Sequence, residues 1–403
     1  MNDKTNAPKL SKRAVEMPAS PIRRLIPYAL EAKKRGTKVY HLNIGQPDVP
    51  TPEPFFEALQ KFPHKVVEYQ LSQGSLEYIS ALAGYYQRCG YDVNASDILV
   101  TTGGSEAIVF AMQAIAGAGD EIIVFEPFYT NYLGYAMMSG VKLVPVTSSA
   151  ETGFHLPTRE EIEAKITPRT RAIMVCSPNN PTGTVLRREE MQTLADIVTE
   201  KNLFLISDEV YREFVYEGEH TGALDMPEIA QRSVVLDSIS KRYSACGARI
   251  GCLVTKNEEL MSAFLRFGQA RLCSPSVDQF AATALTSLGE EYFAEVREEY
   301  RARRDVVMDA LNAADGFFCR RPNGAFYVMA RLPIDSSEKF AKYMLTDFNL
   351  EGETTMVAPG DGFYATPGKG LDEIRIACVL NTKDLKRAMH VLIEGVKEYQ
   401  KTM

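Results

Sequence analysis

Between residues 97 and 254, short runs of Ile, Val and Leu recur at 98–102, 121–125, 142–146, 171–176, 203–207, 234–238 and 249–254. Several are continuously apolar rather than alternating, as expected of strands buried on both faces. Helical patterns such as 105–116 and 188–200 lie between many of them. Seven strand candidates with interleaved helices indicate an α/β fold built on a doubly wound, mainly parallel seven-stranded sheet.

The flanks have a different texture. Residues 1–20 read as a loose arm, 22–34 as a short helix, and the Gly- and Pro-rich stretch 42–52 as a shaped loop. Residues 276–314 are predominantly helical and heavily charged, followed by strands near 325–332 and 373–380 and helices near 337–347 and 382–400. That is the pattern of a smaller α+β domain. The expected division is 1–50 as N-terminal arm and part of the small domain, 51–290 as the large domain, and 291–403 as the small C-terminal domain.

Composition narrows the function. With 45 basic and 52 acidic residues the net charge is −7, which argues against nucleic acid as the main partner. A locally basic pocket for a small anion remains compatible with that balance. Seven scattered Cys without a CxxC, and five dispersed His without HExxH, favour neither a disulfide framework nor a metal site. The N-terminus lacks an apolar signal core and no apolar stretch approaches 18 residues, so a cytoplasmic chain without a membrane span is expected.

In an open α/β sheet, ligands gather beyond the carboxyl ends of strands. Five positions there carry chemistry, and each has a structural alternative. Thr102-Gly-Gly-Ser-Glu106 opens a helix and suits an oxyanion, or is a plain N-cap. Ser177-Pro-Asn-Asn-Pro-Thr-Gly183 presents amide side chains, or is only a rigid turn. Asp208 follows an apolar run and needs a partner to stay charged, with Tyr211 three residues on; a helix cap is the alternative. Lys241 follows another strand and is a Schiff-base candidate, or a surface lysine. Its SxxK context lacks the SDN and KTG elements of β-lactamases. Arg375, inside the apolar strand 373–380, suits a substrate carboxylate, or closes an internal salt bridge. Together they supply an oxyanion cradle, an acid, a phenol, a lysine and a carboxylate receptor. That inventory suits pyridoxal phosphate acting on an amino acid.

The segment Ser238-Ile-Ser-Lys-Arg-Tyr-Ser-Ala-Cys-Gly-Ala-Arg-Ile-Gly251 resembles the SxSKxxxxxGxRxG signature of the class I/II aminotransferases, fold-type I pyridoxal-phosphate enzymes related to aspartate aminotransferase. Supporting motifs are Gly45-Gln-Pro-Asp48, Thr102–Ala107, Asn179–Gly183, Ser207–Tyr211, Arg321-Pro-Asn-Gly-Ala-Phe-Tyr327 and Arg375, and the likeness runs from about residue 17 to the C-terminus. The resemblance implies that Lys241 carries pyridoxal 5′-phosphate and shuttles the proton between Cα and C4′. It implies Asp208 at the pyridine nitrogen, Asn180 and Tyr211 at the phenolic oxygen, and Tyr129 stacked on the ring. Gly104, Ser105, Glu106, Ser238 and Arg249 would hold the phosphate, with Tyr69 reaching the phosphate of a neighbouring subunit. Arg375 would grip the α-carboxylate, assisted by Asn180 and Gly45. The implied assembly is a homodimer with shared sites, working by ping-pong transfer between an L-amino acid and a 2-oxo acid.

The sequence departs from the aspartate enzymes at Ser105, where many carry a lysine for the distal carboxylate. Arg23, Arg24 or Arg271, the last reaching from a neighbouring subunit, are the candidates to replace it. Alternatives on the same fold are β-elimination and cyclopropane-forming synthesis. An NAD-dependent enzyme is disfavoured because GxGxxG is missing.

Overall fold

The computed structural model describes residues 8–403. In chain order its strands are β1 (Lys38–His41), β2 (Ile98–Thr101), β3 (Glu121–Glu126), β4 (Lys142–Thr147), β5 (Thr170–Cys176), β6 (Phe204–Asp208), β7 (Ser233–Ser238), β8 (Gly251–Val254), β9 (Tyr327–Arg331), β10 (Glu353–Met356), β11 (Ala358–Pro359) and β12 (Glu373–Ala377). Seven of them, each within or beside one of the apolar runs, form a single sheet in the order β2-β8-β7-β6-β5-β3-β4. Neighbours are parallel, except that β8 runs antiparallel to both β2 and β7.

The side-chain period of two explains the unbroken apolar runs. Leu99, Val124, Met174, Ile206, Leu236 and Leu253 point to one face, where they pack with Ala107, Phe110, Leu260 and Phe264 from covering helices. Their neighbours Val100, Ile123, Val175, Leu205, Val235 and Cys252 point to the other, against Ile79, Leu82, Leu194, Ile197 and Ala282. Both faces are dry, so alternation has nothing polar to display. The fold is the fold-type I α/β arrangement expected from the sequence.

A third cluster gathers the chain's two flanks. Leu25, Ala29 and Leu42 pack with Tyr300, Phe326, Met344, Ile376 and Leu392. Strand β1 pairs in parallel with β10, while β11, β12 and β9 make a three-stranded antiparallel sheet. The expected helices at 337–347 and 382–400 form as Ser337–Thr346 and Thr382–Gln400. Two local features differ from the sequence reading. The segment read as a loose arm contains a one-turn helix, Lys12–Glu16, whose N-cap Ser11 Oγ accepts from Ala14 N. The helix read from residue 22 begins as a 3-10 turn, Arg23–Leu25, before Ile26–Lys34.

The antiparallel β8 has a functional consequence. Strands β5, β6 and β7 end at the edge where β8 begins, so Arg249 is delivered beside Asp208 and Ser238 rather than to the opposite end. Gly251 makes that approach possible. A Cβ there would lie 2.6 Å from Gly103 C, 2.7 Å from Gly104 N and 2.9 Å from Asp237 O, all backbone atoms. The G251A variant should lose about 1–3 kcal/mol of stability, since none of those atoms can swing aside. G247A is the control, because nothing lies within 4 Å of a Cβ there. Thermal denaturation of the two variants beside the wild type checks this; equal melting temperatures for all three would contradict the packing argument.

Candidate active site

At the carboxyl edge of the large sheet lies a cavity of about 530 Å³. Gly45, Gly104, Ser105, Tyr129, Asn180, Asp208, Tyr211, Ser238, Lys241, Arg249 and Arg375 all line it. Residues from three sheets and their loops therefore converge on one space, as the sequence reading anticipated. Glu106 and Tyr69 are the exceptions. The Glu106 carboxylate turns back to accept from Thr102 N at 2.8 Å, capping its own turn. Tyr69 is 78% exposed and belongs to the surface.

At the floor, the last residue of β6, Asp208, is buried. Its Oδ2 accepts from Tyr132 OH at 2.6 Å and its Oδ1 from Val210 N at 3.4 Å. No cation pairs with it among the described residues. Burial is the main cause that pushes its carboxyl up to about 6, with nearby Asp237 and Glu209 adding to the rise and the two hydrogen bonds opposing it. A carboxyl in that condition is short of one positive partner.

The opposite situation holds at Arg375, on β12. Its guanidinium is fully buried, and burial lowers its pKa. Nη1 donates to Asn180 Oδ1 at 3.0 Å, Nη2 donates to the Asn43 carbonyl, and Nε has no partner. The group lies 4.6 Å from the Tyr327 ring centroid and 5.1 Å from that of Phe363. These rings and carbonyls hold the fork in place, yet no carboxylate neutralises it among the described residues. It is short of one anion.

Lys241 sits in a one-turn helix, Ile239–Arg242, that leaves β7 with Ser238 as N-cap. Its Nζ donates to the Gly45 carbonyl at 2.7 Å and lies 3.7 Å from Cys246 Sγ. A hydrogen-bond chain crosses the cavity wall: Asn180 Nδ2 donates to Tyr211 OH at 3.4 Å, and Tyr211 OH meets Tyr327 OH at 2.8 Å. Gly45 has to be glycine here, because a Cβ would sit 1.8 Å from Tyr327 OH.

The helix Gly104–Ile115 points its N-terminus into the cavity from the turn at Gly103, which has φ +76°. A Cβ at Gly103 would come within 2.3 Å of Arg249 Nη2, so guanidinium and free amides share this corner. The hydroxyl of Ser105 accepts from Tyr135 OH at 2.7 Å. Ser238 Oγ accepts from Ser240 N at 3.1 Å and lies 2.8 Å from the Ile250 carbonyl, so it has a structural task as well. Amides at a helix end with one guanidinium are suited to an oxyanion.

Sequence reasoning missed several contributors. Tyr132, which meets Asp208, lies three residues beyond Tyr129, and no spacing rule marks it. Tyr327 is inside a recognised motif but had no role attached. Cys246 is inside the Lys241 signature, and only the folded turn brings its sulfur to the lysine. Two residues weighed for a distal carboxylate are committed elsewhere. Arg24 pairs with Glu338 at 3.2 Å and Asp361 at 3.6 Å. Arg271 donates to Ser274 Oγ at 2.6 Å and the Val100 carbonyl at 3.1 Å, and lies 3.6 Å from Glu106. Arg23 alone of the three lines the cavity.

A cavity with an unpaired acid, an unpaired carboxylate receptor and a lysine matches the inventory read from the sequence, and comparison with known proteins decides the family. The family profile for aminotransferase class I and II matches residues 37–392. The chain belongs to this family. An aspartate/prephenate aminotransferase from Thermus thermophilus is 33% identical over 387 residues, 94% of this chain and 97% of the relative. An arginine–pyruvate transaminase from Pseudomonas aeruginosa is 33% identical over 370 residues, 89% of this chain and 90% of the relative. The solved alanine aminotransferase from Pyrococcus furiosus superposes with a TM-score of 0.89 at 30% identity, covering 97% of this chain and all of that one. The chain is an aminotransferase; relatives of near-equal similarity act on different amino acids.

The condition of Asp208 gives a measurable pH signature in protein freed of small molecules. Its folded pKa of about 6 lies above the unfolded value near 4, so the protonated form is the one folding favours. Its contribution is fully present below about pH 4 and is lost as pH rises through 6, a change of about 3 kcal/mol. D208N removes the titration. Relative to D208N, the wild type should therefore lose stability between pH 4 and 7. A flat difference in melting temperature across that range would refute the assignment.

Proposed function

We propose that this aminotransferase uses pyridoxal 5′-phosphate, bound in the cavity at the carboxyl edge of the large sheet, to exchange amino groups between an L-amino acid and a 2-oxo acid. The observation that carries the proposal is the pair of buried, unpaired groups of opposite sign, Asp208 and Arg375, lining one cavity with Lys241. Each is costly without a guest. The cofactor's pyridinium suits the first and an α-carboxylate the second. The helix end at Gly104 and Arg249 suit the cofactor's phosphate, and Tyr129 offers an aromatic face.

When bound, the cofactor supplies an electron sink that disperses the charge left at the substrate Cα. The protein's residues do the rest. Asp208, in its anionic form, holds the ring nitrogen protonated, and Tyr132 fixes the orientation of that carboxylate. Asn180 and Tyr211 donate hydrogen bonds to the phenolic oxygen. Arg375 clamps the α-carboxylate and so sets which bond at Cα stands ready to break. The Lys241 amine would take the Cα proton and pass it to C4′. Held in one turn of helix, it acts at an effective concentration that no solution base reaches. Ping-pong kinetics follow, because the amino group must be handed to a second acid.

The proposed working unit is a homodimer in the cytoplasm, with Tyr69 contributing to the partner's site. Support comes from an exposed apolar stretch: Val66, Val67, Tyr69, Leu71 and Leu76 are all more than half exposed in the single chain. No helix among the described residues is long and apolar enough to cross a membrane. The names of the aspartate-specific relatives favour aspartate and 2-oxoglutarate as the substrate pair, within a broader amino acid range.

The test is a half-reaction screen of amino acids against the purified yellow protein. Each accepted amino acid should bleach the cofactor band and yield its oxo acid, and an added oxo acid should restore the band. Release of ammonia with pyruvate would instead indicate elimination. K241A should bind cofactor yet show no turnover. R375A should cut kcat/KM for every amino acid by roughly 10²-fold or more, since it removes a desolvated bidentate pair worth about 2–5 kcal/mol. Full activity in K241A would overturn the proposal. Sedimentation should give the mass of two chains, and a monomer at full activity would remove the shared-site part.

A further inference from the structure

Outside the catalytic cavity, segments 151–155, 182–187 and 320–323 meet around a second hollow of about 310 Å³. Three arginines line it, Arg187, Arg320 and Arg321, and Glu151 is the one carboxylate among its lining residues. In a chain of net charge −7 this is a local reversal of sign. The acids nearby are already engaged. Glu151 pairs with Arg331 at 2.7 Å, Glu190 with His155 at 2.8 Å, and Asp305 with Arg321 at 2.5 Å. Arg187 and Arg320 are exposed and form no ion pair among the described residues. Arg320 donates from Nε to the Glu151 carbonyl at 3.3 Å, and its two terminal nitrogens have no hydrogen bond among the described residues.

Backbone contacts hold the three segments together. Thr184 Oγ1 donates to the Gly153 carbonyl at 2.8 Å, joining the first segment to the second. Gly324 N donates to the Gly183 carbonyl at 2.9 Å, joining the second to the third. Gly183, at φ +71°, lets that joint close: a Cβ there would lie 2.6 Å from Pro322 Cβ and 2.7 Å from the Gly324 carbonyl oxygen. The two open guanidinium groups therefore stand on separate segments whose spacing the backbone fixes. A hollow of this volume admits a small molecule rather than a polymer. No lysine lines it, and planar arginine forks match phosphate oxygens two at a time. A phosphate group brings about two charges and several acceptor oxygens on one centre, so it can serve both forks at once.

We propose that this hollow binds a small phosphorylated molecule through Arg187 and Arg320, with Arg321 beside them. It is a site separate from the catalytic cavity, and it does not depend on the transamination reading.

The experiment titrates the purified holoenzyme with inorganic pyrophosphate by calorimetry at fixed ionic strength, while the cofactor's absorption band is followed in parallel. Bound cofactor keeps the corner at Arg249 filled, so pyrophosphate is directed to the second hollow. Wild type should bind it with the band unchanged. R187Q and R320Q should each weaken binding about threefold or more, and the double variant about tenfold or more. R188Q, which removes an exposed arginine outside the hollow, should stay within about twofold of wild type. R320K keeps the charge but not the fork, and should fall between wild type and R320Q. Melting temperatures without pyrophosphate should match across the set, which separates lost binding from lost folding. Absence of binding by wild type at about 10 mM pyrophosphate would overturn the proposal. So would equal affinity in the double variant, or equal weakening by R188Q, which would reduce the effect to general surface charge. Binding that displaces the cofactor band would overturn it too, by placing pyrophosphate in the catalytic cavity.

Discussion

The contact on which the rest depends is buried behind the cavity rather than in it. The Arg242 guanidinium meets the Asp237 carboxylate with both groups almost wholly removed from water. Asp237 also accepts from Tyr86 OH at 2.7 Å and from Ser238 N at 2.7 Å, and Arg242 lies 4.1 Å from the Tyr85 ring centroid. An isolated pair of this kind would be a poor investment of stability. Here it ties the end of β7 to the single helical turn bearing Lys241, so a four-residue helix too short to persist alone is held rigid.

The same device repeats along the edge. Asp208 faces the cavity, while the next residue, Glu209, faces back and accepts from Ala223 N at 2.9 Å and pairs with His220 at 3.0 Å. These partners, with Arg212, hold its pKa at about 2 despite burial. Tyr211 lines the cavity, while Arg212 turns inward over the rings of Tyr86 and Tyr91. Lys241 and Arg242 complete the series. At each strand end one side chain is presented to the ligand and its neighbour is locked into a buried network of opposite charges. Positions in the cavity inherit their precision from that network, which lets groups such as Asp208 remain unpaired.

How much of this was legible follows from what leaves a mark in a sequence. The seven sheet strands were, because burial on both faces writes long apolar runs such as Ile122–Phe125 and Ile173–Val175. Strands β1 and β10 were not: Lys-Val-Tyr-His and Glu-Thr-Thr-Met are short and mixed, and pair only because the chain's flanks meet. The cavity residues were found through motifs at strand ends. Their partners were not, since Tyr132 and Tyr327 are ordinary aromatic residues until folding puts their hydroxyls on Asp208 and Tyr211. Arg23, Arg24 and Arg271 were indistinguishable as letters. The ion pairs of Arg24 and the hydrogen bond of Arg271 to the Val100 carbonyl separate them, and neither can be read without the fold.

Charge balance links the site to the whole molecule. The chain carries a net −7, yet its cavity holds four cationic side chains and one acid. A protein whose outer surface were also cationic would draw anions everywhere; an acidic exterior with a cationic interior confines that attraction to the mouth of the site. Inside, the cations avoid mutual repulsion only if each is matched. In the proposed reaction Arg249 faces the cofactor's phosphate and Arg375 the α-carboxylate. Of the four, only Arg23 at the rim has no partner in that reaction.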